Sequence, residues 1–250
     1  MNERVETGVV GLDGMLRGGL VAQSTVLVRG APGAGKTTLG LQFICHGASK
    51  GEPGLYITFE EFPESLYRDA QSLGWDLRAL EAAGMLRLLF TSPQVFLRSL
   101  QSPTSPLAEL IREQGTCRVV VDSMAHFRKL ASDPISVRKI YEQTVNALKR
   151  EQVTSLLLSE ATNKLSFLRE EAEGLLYVVD GVILLSFVEM NGEMCRALTI
   201  LKLRGSDHDK EVRRFEIAPQ GIRLAGNFQD QEAILTGAAR LGQVRRALGI

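Results

Sequence analysis

Three cysteines in 250 residues, Cys45, Cys117 and Cys195, lie far apart and none stands in C-x-x-C spacing, which argues against a disulfide framework and a spaced zinc motif. All three are expected as buried, reduced thiols. An excess of one charge is lacking as well: 29 Lys and Arg balance 29 Asp and Glu, so no overall field draws the chain to a polyanion or an anionic membrane surface. That balance weighs against a dedicated nucleic-acid binder and leaves only a local basic patch open. No apolar run approaches the roughly 18–20 residues that a membrane-spanning helix needs. The opening Met1-Asn2-Glu3-Arg4-Val5-Glu6 lacks the basic-then-apolar layout of a secretory signal, so a cytoplasmic location is expected. Internal repeats, low-complexity tracts and linkers are absent too. With 44% hydrophobic residues, the chain is long enough for one large α/β domain, read here as 1–228, followed by a tail over 229–250.

What is present begins with Gly30-Ala31-Pro32-Gly33-Ala34-Gly35-Lys36-Thr37-Thr38, a match to the phosphate-loop pattern G-x-x-x-x-G-K-[ST] at every fixed position. Its glycines let successive backbone N–H groups turn toward the phosphates of a nucleoside triphosphate. Lys36 reaches the β- and γ-phosphates and the Thr37 hydroxyl ligates Mg²⁺. Thr25 to Arg29 reads as the strand feeding the loop, and Lys36 to Gly47 as the helix whose positive N-terminal end faces the anion. Gly33, Ala34, Gly35, Lys36, Thr37 and Thr38 are therefore the candidate contacts to ATP.

Apolar runs of strand length recur at 25–29, 54–58, 86–90, 118–122 and 153–158, with helical segments near 36–47, 64–73, 104–114 and 136–151 between them. Such alternation implies right-handed crossovers and a mostly parallel sheet covered on both faces. Val119-Val120-Val121 and Leu156-Leu157-Leu158 are uninterrupted, as in central strands buried on both sides. From about 176 the pattern changes to Tyr177 through Phe187, an Asn191-Gly192 turn, Ala197 through Leu203, Arg213 through Ile217 and Gly221 to Arg223, an appended antiparallel meander. Asp230 to Leu248 carries apolar residues at spacings of three and four, which predicts an amphipathic helix packing on its own domain or on a partner.

Ligands of parallel sheets sit beyond the carboxyl ends of the strands. At one such end stand Glu60 and Glu61, either of which can orient and deprotonate a water for attack on the γ-phosphate. A Glu-Glu pair at a helix start also reads as a solvated capping pair, but the strand-end position favours catalysis. Asp122, after Val119-Val120-Val121, has the layout of a carboxylate delivered to the Mg²⁺ shell, directly or through water. Ser159-Glu160 would sit beside it as a sensor of the γ-phosphate. Lys202 and Arg204, two apart on an expected strand, share one face and could neutralise charge on a transferred phosphoryl group. Taken alone they would read as a solvated pair guarding an edge strand. His46 and His126 have no spaced partners and are assigned nothing.

Several blocks outside the generic phosphate loop carry a more specific resemblance: Thr7-Gly8-Val9-Val10-Gly11-Leu12-Asp13-Gly14-Met15-Leu16 with Gly18-Gly19-Leu20, Tyr56-Ile57-Thr58-Phe59-Glu60-Glu61, Gly74-Trp75-Asp76-Leu77 and Lys202-Leu203-Arg204-Gly205-Ser206-Asp207-His208-Asp209-Lys210. From about residue 5 to 225 the chain resembles the KaiC family of RecA-like ATPases. The resemblance implies a RecA-like core, ATP with Mg²⁺, slow hydrolysis to ADP and phosphate, and a ring, usually a hexamer, with nucleotide between subunits. It implies Glu60 as the catalytic glutamate with Glu61 its companion, and Ser72 near the base or ribose. Lys202, Leu203, Arg204, Ser206 and His208 match the segment that family members extend to a neighbour's nucleotide. The clock proteins of the family carry two such domains and autophosphorylate a Ser-Thr pair in the second. Here Leu176-Tyr177 stands at that place, so autokinase activity is not favoured, and Ala218-Pro219-Gln220 lacks the acidic residue some members carry there.

The leading expectation is thus a ring-forming ATPase that signals to a protein partner through nucleotide-dependent contacts. The alternative, a RecA- or RadA-type DNA-dependent ATPase, needs a basic or aromatic loop lining the ring, and the candidate loops at 124–134 and 161–173 are weakly charged. A scaffold in which nucleotide only stabilises assembly is disfavoured by intact Lys36, Thr37 and Glu60.

Overall fold

The computed structural model describes residues 3–228 apart from 101, 103, 132, 161–173 and 191; the expected tail helix and the 161–173 loop lie outside the described residues. A short hairpin-like pair, β1 (Arg4–Val5) and β2 (Leu20–Val21), stands apart with α1 (Leu12–Met15) between its strands. The main sheet has nine strands. Its parallel part comprises β3 (Thr25–Gly30), β4 (Gly54–Thr58), β5 (Leu86–Phe90), β6 (Arg118–Asp122), β7 (Thr154–Glu160) and β8 (Gly181–Met190), and the antiparallel part continues through β9 (Glu193–Leu203), β10 (Arg213–Ala218) and β11 (Gly221–Asn227). The order is β11-β10-β9-β8-β3-β7-β6-β4-β5. The expected parallel sheet with an appended meander is what forms.

Period-two alternation sorts the central strands between two cores. Val26, Val28, Tyr56, Val120, Leu156 and Leu158 face one side, while Leu27, Leu55, Ile57, Val119, Val121 and Leu157 face the other. The first side is covered by α2 (Lys36–Ser49), α3 (Pro63–Ser72) and α4 (Leu77–Ala82) with the N-terminal segment. On the second lie α5 (Pro93–Leu100), α6 (Pro106–Glu113), a 3₁₀ helix (Met124–Leu130), α7 (Pro134–Arg150) and α8 (Leu175–Val178). Neither α4 nor α5 was anticipated, because each is short and its apolar spacing covers barely two turns. Residues 124–130, expected as loop, are helical. The run from Tyr177 to Phe187 is not one strand: Tyr177 belongs to α8, and β8 begins only at Gly181. Among the described residues no helix is long and apolar enough to cross a membrane.

Two polar devices lock this arrangement. Asp13 accepts bonds from Thr7 N (2.7 Å), Thr7 Oγ1 (2.8 Å) and Gly8 N (3.3 Å), fixing the turn that brings Val10 against Leu224 and β11. Gln42 on α2 donates to the Gly8 and Ile222 carbonyls and accepts from Ile222 N at 2.7 Å, which ties α2 to that same strand. Gly40 matters to the same packing, because a Cβ there would lie 3.0 Å from Val120 and 3.3 Å from Leu158 and Tyr56. Cys45 and Cys195 are buried as expected, but Cys117 is exposed. It stands just ahead of β6, where the chain is still at the surface.

Arg118 is fully buried at the start of β6, with its guanidinium on Glu52 (2.6 Å), the Glu6 and Phe43 carbonyls (2.7 and 2.9 Å) and the face of the Phe43 ring. Removing such a cation strands a carboxylate and two carbonyls. Because the Glu52 side chain is 38% exposed and can recover water, Arg118→Ala is expected to lower unfolding free energy by about 3 kcal/mol, the lower end for a broken buried pair. Urea denaturation measures it, and a loss below about 1 kcal/mol, the level of a surface pair, would contradict the assigned role.

Candidate active site

The phosphate loop leaves the carboxyl end of β3 and closes onto α2. Gly33 and Gly35 take φ values of 77° and 102°, a left-handed region that a Cβ disfavours. A Cβ on Gly35 would also approach Ile217 at 3.1 Å, so the β10–β11 hairpin backs the loop from behind. Gly35 is the N-cap of α2 and offers no side chain to the first turn, which contains no acidic residue. The N-terminal N–H groups of α2 thus have no side-chain cap, as a phosphate site requires. Lys36 Nζ donates to the carbonyls of Gly30 and Ala31 at 3.1 Å each. Burial holds its ammonium below the ordinary lysine value, opposed by the charges of Glu160 and Asp122.

Beside Lys36, Thr37 Oγ1 donates to Asp122 Oδ2 at 2.9 Å, and the Tyr56 hydroxyl donates to the same oxygen at 2.8 Å. Three elements meet in that carboxylate: α2, β4 and β6. The peptide from Asp122 to Ser123 is cis. Burial raises the Asp122 carboxyl above the usual aspartate value, while the Tyr56 and Thr37 bonds and the Lys36 charge pull it back. Tyr56 itself, wholly buried beside that carboxylate, is pushed well above the ordinary phenol value. A hydroxyl and a carboxylate 2.9 Å apart under a loop of N–H donors fit the oxygen donor set of Mg²⁺ with a polyphosphate.

Glu60 and Glu61 follow β4, separated from the strand that feeds the loop by two others, β7 and β6. Thr58 Oγ1 exchanges bonds with the Glu61 backbone at 3.1 Å, shaping the turn that exposes both carboxylates. Glu61 is raised above the usual value, first by burial and then by the Asp122, Asp69 and Glu60 charges. Glu60 Oε2 lies 3.1 Å from His126 Nε2, so His126, dismissed from the sequence, does have a spaced partner; the 3₁₀ helix brings it there. Ser159 and Glu160 belong to β7 rather than following it, with Ser159 buried and Glu160 opposite Gly30.

The remaining sequence candidates lie elsewhere. Val182 pairs with both Leu27 and Lys202, Arg204 N donates to the Asp180 carbonyl and Asp180 N to that of Thr25, so this segment runs from the middle of β3 to its amino end, away from the end that carries the phosphate loop. Lys202 Nζ donates to the Leu176 and Val179 carbonyls at 2.8 Å each, and Arg204 Nη2 donates to the Tyr177 carbonyl at 2.6 Å. Both reach one segment, although β9 ends at Leu203 and Arg204 lies in the turn after it rather than on the expected strand. Burial, then the Arg204 charge, lowers the Lys202 ammonium. Ser206 accepts from Arg4 at 2.7 Å, Leu203 is buried, and His208 is half-buried in the following loop. Ser72 ends α3 and donates to the Asp69 carbonyl. Sequence reasoning also missed Arg196, whose guanidinium is 3.4 Å from the Gly33 carbonyl, and Tyr56. A lone arginine or tyrosine on a strand carries no signal of a partner brought by topology.

The model of the KaiC ATPase family matches residues 5–228. The circadian clock protein KaiC3 of Synechocystis is 33% identical over 234 residues, which cover 94% of this chain and 46% of that protein. A UPF0273 protein of Pyrococcus horikoshii is 32% identical over 236 residues, covering 89% of this chain and 94% of its own. The crystal structure of a KaiC-like protein from Pyrococcus horikoshii superposes with a TM-score of 0.79 at 31% identity, covering 90% of this chain and 100% of the other. The chain spans about half the length of the clock proteins it matches. The fold is that of a RecA-like P-loop ATPase core.

Because Asp122 is raised in the folded state, the folded protein binds its proton more tightly than the unfolded chain does. The ionised carboxylate therefore weighs against folding at neutral pH, a penalty that vanishes as pH falls through the raised folded value toward the unfolded one. Asp122→Asn keeps an acceptor for Thr37 and Tyr56 without the charge. In nucleotide-free, metal-free buffer at pH 7 it is expected to raise Tm by roughly 2–4 °C, the shift that about 1 kcal/mol produces in a domain of this size, while blunting the Mg²⁺ dependence of ATP affinity. A lowered Tm with an unchanged Mg²⁺ dependence would contradict this reading of the carboxylate.

Proposed function

The chain belongs to the KaiC family of ATPases, and from that premise we propose that it is an ATP hydrolase whose active site is shared between neighbouring copies in a ring, six by the family resemblance. The backbone of 33–38 holds the phosphates, with Lys36 on the β- and γ-phosphates. Thr37 and Asp122 attend Mg²⁺ directly or through water, and the ion when bound neutralises charge on the phosphate oxygens. Glu60 takes a proton from a water as its oxygen bonds to the γ-phosphorus, the bond to the β-γ bridging oxygen breaks, and ADP departs. Glu61 stands as its companion. A neighbour supplies Lys202, Leu203, Arg204, Ser206 and His208, and Ser72 lies near the base or ribose. Slow turnover changes contacts around the ring, and those changes are read by a protein partner in the cytoplasm.

The observation that carries this reading is a separation across the sheet. Thr37 and Asp122 meet beneath the loop at 2.9 Å, whereas Arg204 N bonds the Asp180 carbonyl and Asp180 N bonds Thr25, the first residue of β3, with Lys202 Nζ on the Val179 carbonyl ahead of β8. A cation held there cannot serve its own copy's loop, but it can serve the next one's.

Lys36→Ala is expected to abolish Mg-ATP binding in calorimetry, because the phosphates lose their positioned cation. Glu60→Gln should keep that affinity and lose turnover by roughly 10²-fold or more, the contribution of a positioned general base. Equal affinity in wild type and Lys36→Ala removes the basis for the site. Full turnover in Glu60→Gln moves the base to Glu61 or Glu160.

A further inference from the structure

His126 has no task in the mechanism above, yet its side chain touches Glu60. Its Nε2 lies 3.1 Å from Glu60 Oε2. The imidazole is firmly held: its side chain is 20% exposed, it stands edge-on to Phe59 with centroids 6.2 Å apart, and Phe59 packs on Phe127 and Phe96 at 5.4 and 5.5 Å. Its backbone N–H donates to the Ser123 carbonyl at 3.3 Å, one residue beyond Asp122. Glu60 is the opposite case. With a side chain 73% exposed at the end of β4, packing restrains it little, and an unrestrained glutamate spreads over several rotamers. A general base works only from the rotamer that points a lone pair at the water.

We propose that His126 is the positioning residue for Glu60. An ionised carboxylate accepts hydrogen bonds and cannot donate them, so the proton of the pair sits on His126 Nε2. That N–H anchors Oε2 and leaves Oε1 to take the proton of the attacking water. Since His126 follows Asp122 by four residues on the segment from β6 into the 3₁₀ helix, the bond also sets the base relative to the carboxylate that attends the metal. The histidine neither touches the nucleotide nor exchanges a proton with it. Its effect passes wholly through Glu60. The proposal rests on Glu60 as the base, and the test separates the two claims.

The test uses the full chain. His126→Ala is expected to lower kcat about tenfold, a share of what orientation contributes, while KM and calorimetric ATP affinity stay at wild-type values. His126→Gln, whose amide can donate from a similar position, should recover most of the rate. In a Glu60→Gln background His126→Ala should cost nothing further. In nucleotide-free protein, long-range ¹H–¹⁵N spectra should show a protonated His126 Nε2 whose resonance moves in Glu60→Gln. Thermal unfolding checks that each variant is folded. Wild-type kcat in folded His126→Ala, with Glu60→Gln inactive, overturns the positioning role and leaves the ATPase reading intact. An equal loss in His126→Ala and His126→Gln, or a further loss in the Glu60→Gln background, assigns His126 to packing and overturns the proposal. If Glu60→Gln hydrolyses ATP normally, both claims fall together.

Discussion

A single buried carboxylate oxygen, Asp122 Oδ2, receives hydroxyls from Thr37 and Tyr56 at 2.9 and 2.8 Å, and the geometry of the site hangs on that convergence. Thr37 fixes where α2 begins relative to β6, and with it the direction in which the phosphate loop presents its N–H groups. Tyr56 joins β4 to the same point, and the chain runs from it through Ile57, Thr58 and Phe59 to Glu60. Burying a carboxylate is unfavourable unless its oxygens are bonded, so the sequence supplies two hydroxyls and a nearby ammonium. Part of the penalty remains, visible in the raised Asp122 carboxyl. On the proposed reading, the charge that disfavours the empty protein is the one that attracts the metal.

The parallel sheet explains why the candidate residues divide into two groups. All of its parallel strands deliver their carboxyl ends to one rim, where the phosphate loop, Asp122, Glu60 and Glu160 gather. The antiparallel return of β9 carries Lys202 and Arg204 the other way, to the rim where β8 begins. There they bind the carbonyls of α8, an arrangement that presents Arg204 at the surface while keeping Lys202 half-covered. On the proposed reading, this division builds a donor face and an acceptor face into one chain, which is the requirement for a heterologous, closing assembly.

Much of this was legible in the sequence because it resides in local spacing. The phosphate loop needs glycines and a lysine at fixed intervals, and the central strands announce themselves as unbroken apolar runs such as Leu156-Leu157-Leu158. What escaped reading was created by topology. Tyr56 looks like any aromatic on a strand until the order of β4, β6 and β3 brings its hydroxyl to Asp122. His126 looks like a loop histidine until the 3₁₀ turn after β6 carries it 3.1 Å from Glu60. Tyr177 was read into a strand because the one-turn helix gives too few residues for its period to register, although Asp180-Gly181 interrupts the apolar run just where β8 begins. Cys117 was expected inside because cysteine is usually buried, whereas the residue before a buried strand can still lie at the surface.

The claim on which the functional account turns is that one copy completes the site of the next, and mixing two inactive proteins tests it most directly. Lys36→Ala subunits keep Arg204 and lack a working phosphate loop, while Arg204→Ala subunits keep the loop and lack the cation, whose counterpart in other nucleotide hydrolases contributes roughly 10³–10⁵-fold in rate. Each alone should be inactive, and mixed assemblies, verified by mass measurement, should regain hydrolysis in proportion to the number of mixed interfaces. Mixed assemblies as inactive as their components, or a wild-type protein that hydrolyses ATP fully as a monomer at micromolar concentration, would contradict the account.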